Sequence, residues 1–169
     1  MDRFDRLLLL ANRWLVIVIL TAMALMVFAN VVLRYTTDQS ILWVEEVSRY
    51  LMIWLTFLGA GLVLRYGGHI GIDSLQKSFP QYGVALRLLI LVIVIAFCAA
   101  LTWIGVQYAD RTWSQTTPVL GIPVGFVYSA MPAGFLLLLL HAGFMAKGYV
   151  TRGEVLIDAD FDPDAASSL

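Results

Sequence analysis

The residues best suited to chemistry in this chain form a short run, Trp43-x-Glu45-Glu46-x-x-Arg49, at the start of a long apolar segment. On a helix, Glu45 and Arg49 share a face and can pair, while Glu46 is turned about 100° away and is free to meet another helix. Ionised groups at the edge of a membrane span are costly unless paired, and they commonly mark a contact with protein or solute. We therefore interpret this run, with Arg34 as the nearest further cation, as a docking surface for another subunit or its support. The alternative is a charge cluster that only anchors two helices at the membrane interface.

Two histidines raise a second possibility, because His69 and His141 on different helices of a bundle could ligate haem. His69, however, lies in a glycine-rich turn with Gly67 and Asp73, where an axial ligand would be poorly braced. The simpler interpretation is a loop hydrogen bond to nearby backbone or to Asp73 for His69, and a polar contact between helices for His141. The sequence has no nucleophile with an adjacent base, no metal-ligand cluster and no phosphate loop, so we predict neither an enzyme nor a bound metal or cofactor.

Composition identifies the environment that must hold these residues. Hydrophobic residues make up 60% of the 169 residues, charged residues 14%, and the mean hydropathy is +0.83. A soluble domain has roughly 45 to 50% apolar residues, so the chain is predicted to lie in a lipid bilayer. The net charge of -1 excludes nucleic acid as a natural partner, since no basic stripe exists to neutralise phosphates.

Four apolar segments are long enough to cross a bilayer, at about residues 14–33, 41–66, 86–107 and 124–146. Pro132 is expected to kink the fourth, and Gly59-Ala60-Gly61 in the second offers close helix packing. Ile72, Leu75 and Phe79 recur at helical spacing, which predicts a short helix on the membrane surface over about residues 72–79. The predicted fold is an all-α membrane protein with four transmembrane helices plus this interfacial amphipathic helix, covering residues 1–153, followed by a disordered acidic tail over 154–169.

The distribution of Lys and Arg predicts orientation. One side of the bundle receives eight of the basic residues and the other three: Arg3, Arg6, Arg13, Arg65, Lys77, Arg87, Lys147 and Arg152 against Arg34, Arg49 and Arg111. The richer side is expected to be cytoplasmic, which puts both termini and the turn with Gly67, His69 and Asp73 inside. The charged run at Glu45 then faces the exterior.

Solute transport by this chain alone is not expected. Moving one charge against ~100 mV costs ~2.3 kcal/mol, so a carrier of anions must bind coupling ions near the midplane, commonly at broken helices lined with polar groups. The spans hold few polar residues that could serve: Thr21, Asn30, Thr56, Thr102, Tyr128 and Ser129. A small proton-coupled exporter would use a lone membrane Glu, whereas two carboxylates beside an arginine favour permanent ionisation. Such an exporter and a haem-bearing membrane anchor of an oxidoreductase remain the alternative functions.

A family resemblance rests on several short motifs in order along residues 25–135. They are Asn30-x-x-x-Arg34-Tyr35, Trp43-x-Glu45-Glu46-x-x-Arg49, Phe57-Leu58-Gly59-Ala60, Arg65-x-Gly67-x-His69-Ile70-x-x-Asp73, Gly121-Ile122-Pro123 and Tyr128-x-x-x-Pro132-x-Gly134. Together they resemble the small membrane subunit of tripartite ATP-independent periplasmic (TRAP) transporters, the DctQ-like family.

The resemblance implies a division of labour in the bacterial inner membrane. A soluble periplasmic solute-binding protein delivers an organic acid to a large membrane subunit, which carries the substrate and sodium sites and moves elevator-fashion. The small subunit is then a scaffold in the bilayer beside the large TRAP subunit, and it helps to form the periplasmic docking face. Arg34, Trp43, Glu45, Glu46 and Arg49 would support that docking. The choice of acid belongs to the other two components.

Overall fold

Helices account for nearly all of the part of the chain that the computed structural model describes, residues 3–65 and 83–152. In chain order they are α1 (Arg3–Thr37), α2 (Leu42–Arg65), α3 (Gly83–Arg111), the short α4 (Val124–Tyr128) and α5 (Ala130–Arg152). Within residues 3–65 and 83–152, four segments are long and apolar enough to cross a membrane, the fourth being Val124–Ala146. The prediction of an all-α membrane protein with four spans is confirmed. The predicted interfacial helix at 72–79, the turn with Gly67, His69 and Asp73, and the tail at 154–169 lie outside the described residues.

The first helix is much longer than the apolar segment that predicted it. Its 35 residues extend for ~52 Å at ~1.5 Å per residue, against ~30 Å of hydrocarbon. It begins at Arg3, well before the expected start near residue 14, because Asp5 and Asn12 turn inward and are buried while the leucines between them continue the helix. α1 packs mainly against α2.

The centre of the bundle is α5, which packs against both α2 and α3. Small residues allow the close approach that membrane helices need. A Cβ added to Gly134 would lie 2.5 Å from the Phe57 Cβ, and one added to Gly105 would lie 2.9 Å from the Pro132 ring. Gly134, from the Tyr128-x-x-x-Pro132-x-Gly134 motif, and Gly105 of α3 therefore let α5 pack closely between its neighbours.

The fourth span is interrupted at Ser129, between α4 and α5. Pro132 has no N–H to donate to the Tyr128 carbonyl one turn earlier, so the hydrogen-bond ladder has a gap there. The ladder continues on either side, since Ser129 N donates to Gly125 O at 2.9 Å and Ala133 N donates to Ser129 O at 3.1 Å. The proline therefore removes one bond from the ladder close to the interruption at Ser129, and a kink at Pro132 stays a prediction.

The helices alternate in direction, which gives the bundle two distinct ends. At the terminal end, where α1 begins and α5 finishes, Arg87 Nε donates to the Val150 carbonyl at 3.2 Å. At the opposite loop end lie the α1–α2 turn and the α3–α4 loop, residues 112–123. Each end holds a group of buried polar side chains.

Candidate docking site

Glu46 is the best-bonded of the residues in the charged run. It is 5% exposed, and its Oε1 accepts a hydrogen bond from the Tyr50 hydroxyl at 2.6 Å. Its Oε2 accepts from the backbone N–H groups of Val119 at 3.0 Å and Leu120 at 2.9 Å. Hydrogen bonds to a carboxylate are stronger than neutral ones. The side chain that we expected to be free for another helix is therefore bonded within its own chain, where it holds the α3–α4 loop against α2.

The α3–α4 loop has a defined structure of its own. Thr117 N donates to Ile122 O at 2.9 Å, and Val124 N donates to Gln115 O at 2.8 Å, so the loop closes as a small hairpin. Gly121 has φ +67°, a left-handed conformation that favours glycine. This explains the glycine of Gly121-Ile122-Pro123. The two amides that Glu46 binds, those of Val119 and Leu120, directly precede Gly121 in this hairpin.

Three other residues of the predicted site border the crevice between α1 and α2 at the loop end. Arg34 and Glu45 line a hollow of about 100 Å³, and Arg49 lines a larger neighbouring one of about 610 Å³. Glu45 and Arg49, predicted to pair, form no ion pair with each other or with any other described residue, and both are exposed. The Arg34 guanidinium lies over the Tyr35 ring, 5.5 Å from its centroid. Trp43 is 45% exposed and lines neither hollow.

The turn into α2 is fixed by a residue that we had considered only as a polar group of the first span. Asn30 is 8% exposed, and its Oδ1 accepts a hydrogen bond from the Ile41 backbone N–H at 2.8 Å. The bond ties the end of α1 to the start of α2. It thereby sets how far apart Arg34 and Glu45 lie across the crevice.

The terminal end contains a cluster that the sequence reasoning missed. Asp5 and Arg65, 4% and 3% exposed, form an ion pair between α1 and α2. Arg65 Nε also donates to His141 Nδ1 at 3.3 Å, and the other ring nitrogen of this fully buried histidine lies 3.4 Å from Asn12 Nδ2. Asn12 Nδ2 donates to Leu58 O at 3.1 Å as well. A signal was present, because residues 5 and 12 are seven apart and must share one face of a helix.

The same cluster explains part of the glycine motif in α2. A Cβ added to Gly61 would lie 2.7 Å from the His141 Cδ2, whereas one added to Gly59 would meet nothing within 4 Å. Gly61 is therefore the packing glycine, Ala60 beside it is half-buried, and Gly59 makes no close approach within the described chain. Both ring nitrogens of His141 face groups of the chain itself, as expected for a polar contact between helices. Its proposed haem partner, His69, lies outside the described residues.

Similarity to known proteins extends over most of the chain. A family model described as "Tripartite ATP-independent periplasmic transporters, DctQ component" matches residues 23–147. A "Putative TRAP transporter small permease protein" of Haemophilus influenzae is 36% identical over 148 residues, covering 83% of this chain and 90% of that protein. The "Ectoine TRAP transporter small permease protein TeaB" of Halomonas elongata is 30% identical over 141 residues, covering 80% and 72%.

A third relative is a much longer protein. The "Isethionate TRAP transporter permease protein DctMQ" of Oleidesulfovibrio alaskensis is 23% identical over 138 residues. The match covers 80% of this chain and only 22% of that protein. Sequence related to this chain therefore also occurs as one part of a larger permease polypeptide.

Proposed function

We propose, since this chain belongs to the DctQ family of TRAP transporter small permease subunits, that it is the scaffold subunit of a sodium-coupled importer of an organic acid. TRAP small permease subunits partner with a large membrane subunit. In this proposal the large subunit carries the acid and the sodium ions. The present chain holds that subunit in place in the bacterial inner membrane.

The placement of polar groups is the observation that carries the proposal. The buried polar side chains described above gather toward the two ends of the bundle, where they bond to one another or to backbone. Between the ends, the Thr56 and Thr102 hydroxyls donate to the Met52 and Cys98 carbonyls of their own helices, each at 2.8 Å. Hydroxyls used in this way are not directed at an ion. In the described residues this is the pattern of a rigid support, since coupled carriers place ion ligands near the midplane.

The docking site in this proposal divides its residues into two roles. Arg34, Trp43, Glu45 and Arg49 are exposed and are proposed to contact the large subunit. Glu46 is proposed to act indirectly, because its carboxylate holds the α3–α4 loop in the shape that the partner meets. Gly67, His69 and Asp73 are proposed to form a turn on the cytoplasmic side.

Both termini are proposed to be cytoplasmic, so that the loop end faces the periplasm. The excess of Lys and Arg on the terminal side supports this orientation. The loop end would then lie where a periplasmic solute-binding protein arrives, and direct contact with that protein is part of the proposal. The named relatives serve ectoine and isethionate, so the acid taken up by this system is a separate question.

Reconstitution tests this function directly. The chain is expressed with the large subunit and the binding protein of its own operon, and acid uptake is measured with and without a sodium gradient. We expect uptake only when the large and small subunits are both present, and we expect the two to co-purify. Uptake by liposomes that contain this chain alone would favour the exporter, and a Soret band in the purified chain would favour the haem-bearing anchor. Either result would overturn the proposal.

A further inference from the structure

An open groove runs along the outer side of α1 and α2. It has a volume of about 610 Å³ and is walled almost entirely by apolar atoms. Its lining includes Met23, Ala24 and Phe28 of α1 and Ser48, Arg49 and Met52 of α2. It shares Val27 and Val31 with the smaller hollow at Arg34 and Glu45. The α1–α2 groove is therefore continuous with the proposed docking site.

One charged group in the wall of this groove lacks a partner in the described chain. Arg49 is exposed and forms no ion pair with a described residue. Arg49 also lies seven residues into α2, ~10 Å along the helix from its start. A cation at that depth is costly in hydrocarbon unless an anion meets it.

We propose that the α1–α2 groove holds one transmembrane helix of the large subunit, and that this helix places a carboxylate opposite Arg49. The inference rests on the proposed function and adds the face and the chemistry of the contact. A carboxylate suits this arginine, since it can form a charge-assisted pair with the guanidinium. The small side chains of Ala24 and Ser48 let a second helix approach closely.

The outer face of α3 shows what a lipid-facing surface of this protein looks like. From Leu88 to Val106 it carries no charged residue, and its exposed side chains include Ile93, Phe97 and Trp103. Lipid tails cover such a surface without any polar requirement. The groove differs from it in having an arginine that acyl chains cannot satisfy. The contrast favours a protein helix as the occupant of the groove.

Matched bulky substitutions test the position of the contact. Ala24→Trp fills the groove, and Ala100→Trp adds the same side chain to the exposed face of α3. Each variant is co-expressed with the large subunit, and the large subunit recovered per small subunit is measured. We expect Ala24→Trp to lower recovery about tenfold, the effect of ~1.4 kcal/mol of lost binding, and Ala100→Trp to leave it unchanged. The reverse result would overturn the proposal by placing the contact on α3.

A second pair tests the charge. We expect Arg49→Ala to reduce recovery several-fold and Arg49→Lys to restore most of it. Arg111→Ala is the control, because Arg111 is another exposed arginine toward the loop end. Equal recovery for Arg49→Ala and Arg111→Ala would show that no carboxylate meets Arg49, which would also overturn the proposal.

Photocrosslinking keeps the proposal testable if Ala24→Trp fails to fold. A photoreactive benzoylphenylalanine in place of Phe28, an exposed aromatic residue of the groove wall, is expected to give an adduct with the large subunit, and one in place of Phe97 on α3 is not. Adducts at position 28 with phospholipid only, or with a second copy of this chain, would overturn the inference. The proposed function would survive those results as long as the unaltered chain still co-purifies with the large subunit and supports uptake.

Discussion

The two ends of the bundle each bury a carboxylate, but they use it differently. At the terminal end, Asp5 pairs with Arg65, so one helix side chain is bonded to another. At the loop end, Glu46 accepts hydrogen bonds from the backbone of a loop. Loss of the first contact should separate helices, whereas loss of the second should release a surface feature and leave the helices together. Buried charge therefore sets the packing of the spans at one end and the shape of the exposed loop at the other.

The largest effect is expected from breaking the ion pair on one side. Arg65→Met leaves the Asp5 carboxylate buried without its cation, which should cost roughly 3 to 5 kcal/mol of stability. The double variant Asp5→Leu with Arg65→Met removes both charges and should recover most of that loss. Thermal unfolding in detergent, followed by tryptophan fluorescence, gives both values. Equal destabilisation by the single and double variants would show that the pair is not what joins α1 to α2 there.

A smaller effect at the same end is expected from crowding the histidine. Gly61→Ala places a Cβ 2.7 Å from the His141 ring, and the resulting overpacking should cost about 1 to 3 kcal/mol. Gly59→Ala is the matched control, because its Cβ would enter open space and alanine is the better helix former. The same unfolding assay distinguishes them. Similar melting temperatures for the two variants would mean that the helices can separate at His141 without cost.

At the loop end, Glu46→Gln should act locally. The amide keeps the size of the side chain but removes the charge that strengthens its hydrogen bonds. We expect the Val119 and Leu120 amides to exchange with solvent about tenfold faster, while the melting temperature stays near that of the unaltered chain. Hydrogen exchange read by mass spectrometry over residues 112–123 measures this, with exposed Glu45→Gln as the control. A large drop in melting temperature would instead show that Glu46, like Asp5, holds helices together.

The smallest effect is expected at the tip of that loop. Gly121 has φ +67°, and a side chain in the left-handed region costs roughly 1 to 2 kcal/mol. Gly121→Ala should therefore increase protease cleavage within residues 112–123, and Gly121→Asn, which tolerates this conformation better, should do so less. Limited proteolysis in detergent compares the two. Identical cleavage patterns would indicate that the loop can adopt another turn.

The spans could be predicted from the sequence because apolar length is a local property, and the prediction of four of them is confirmed. The gap in the hydrogen-bond ladder at Pro132 could also be predicted, since proline has no N–H. The bonding of Glu46 could not, because its partners Val119 and Leu120 lie on a loop far along the chain. The extension of α1 back to Arg3, beyond the predicted span, could not be read from apolar length either. It depends on the pairing of Asp5 with Arg65 on another helix.

The family was also accessible from the sequence, through a series of short motifs, and the match over residues 23–147 confirms it. The role of each motif residue depends on its surroundings in the folded chain, which the motif alone does not give. Glu45 and Glu46 are adjacent and chemically alike, yet one is exposed and the other is buried under a loop. Gly59 and Gly61 differ in the same way, because only the second faces His141.

The Asp5–Arg65 pair also bears on biogenesis. A ribosome synthesises α1 before the end of α2 exists. Asp5 therefore reaches the membrane before Arg65 is available to pair with it. Since Asp5 stands at the very beginning of that helix, it can remain hydrated at the surface until the second helix is complete. Because Arg65 is the last residue of α2, the pair can close only when that helix is complete, and His141 of α5 can join the cluster only afterwards.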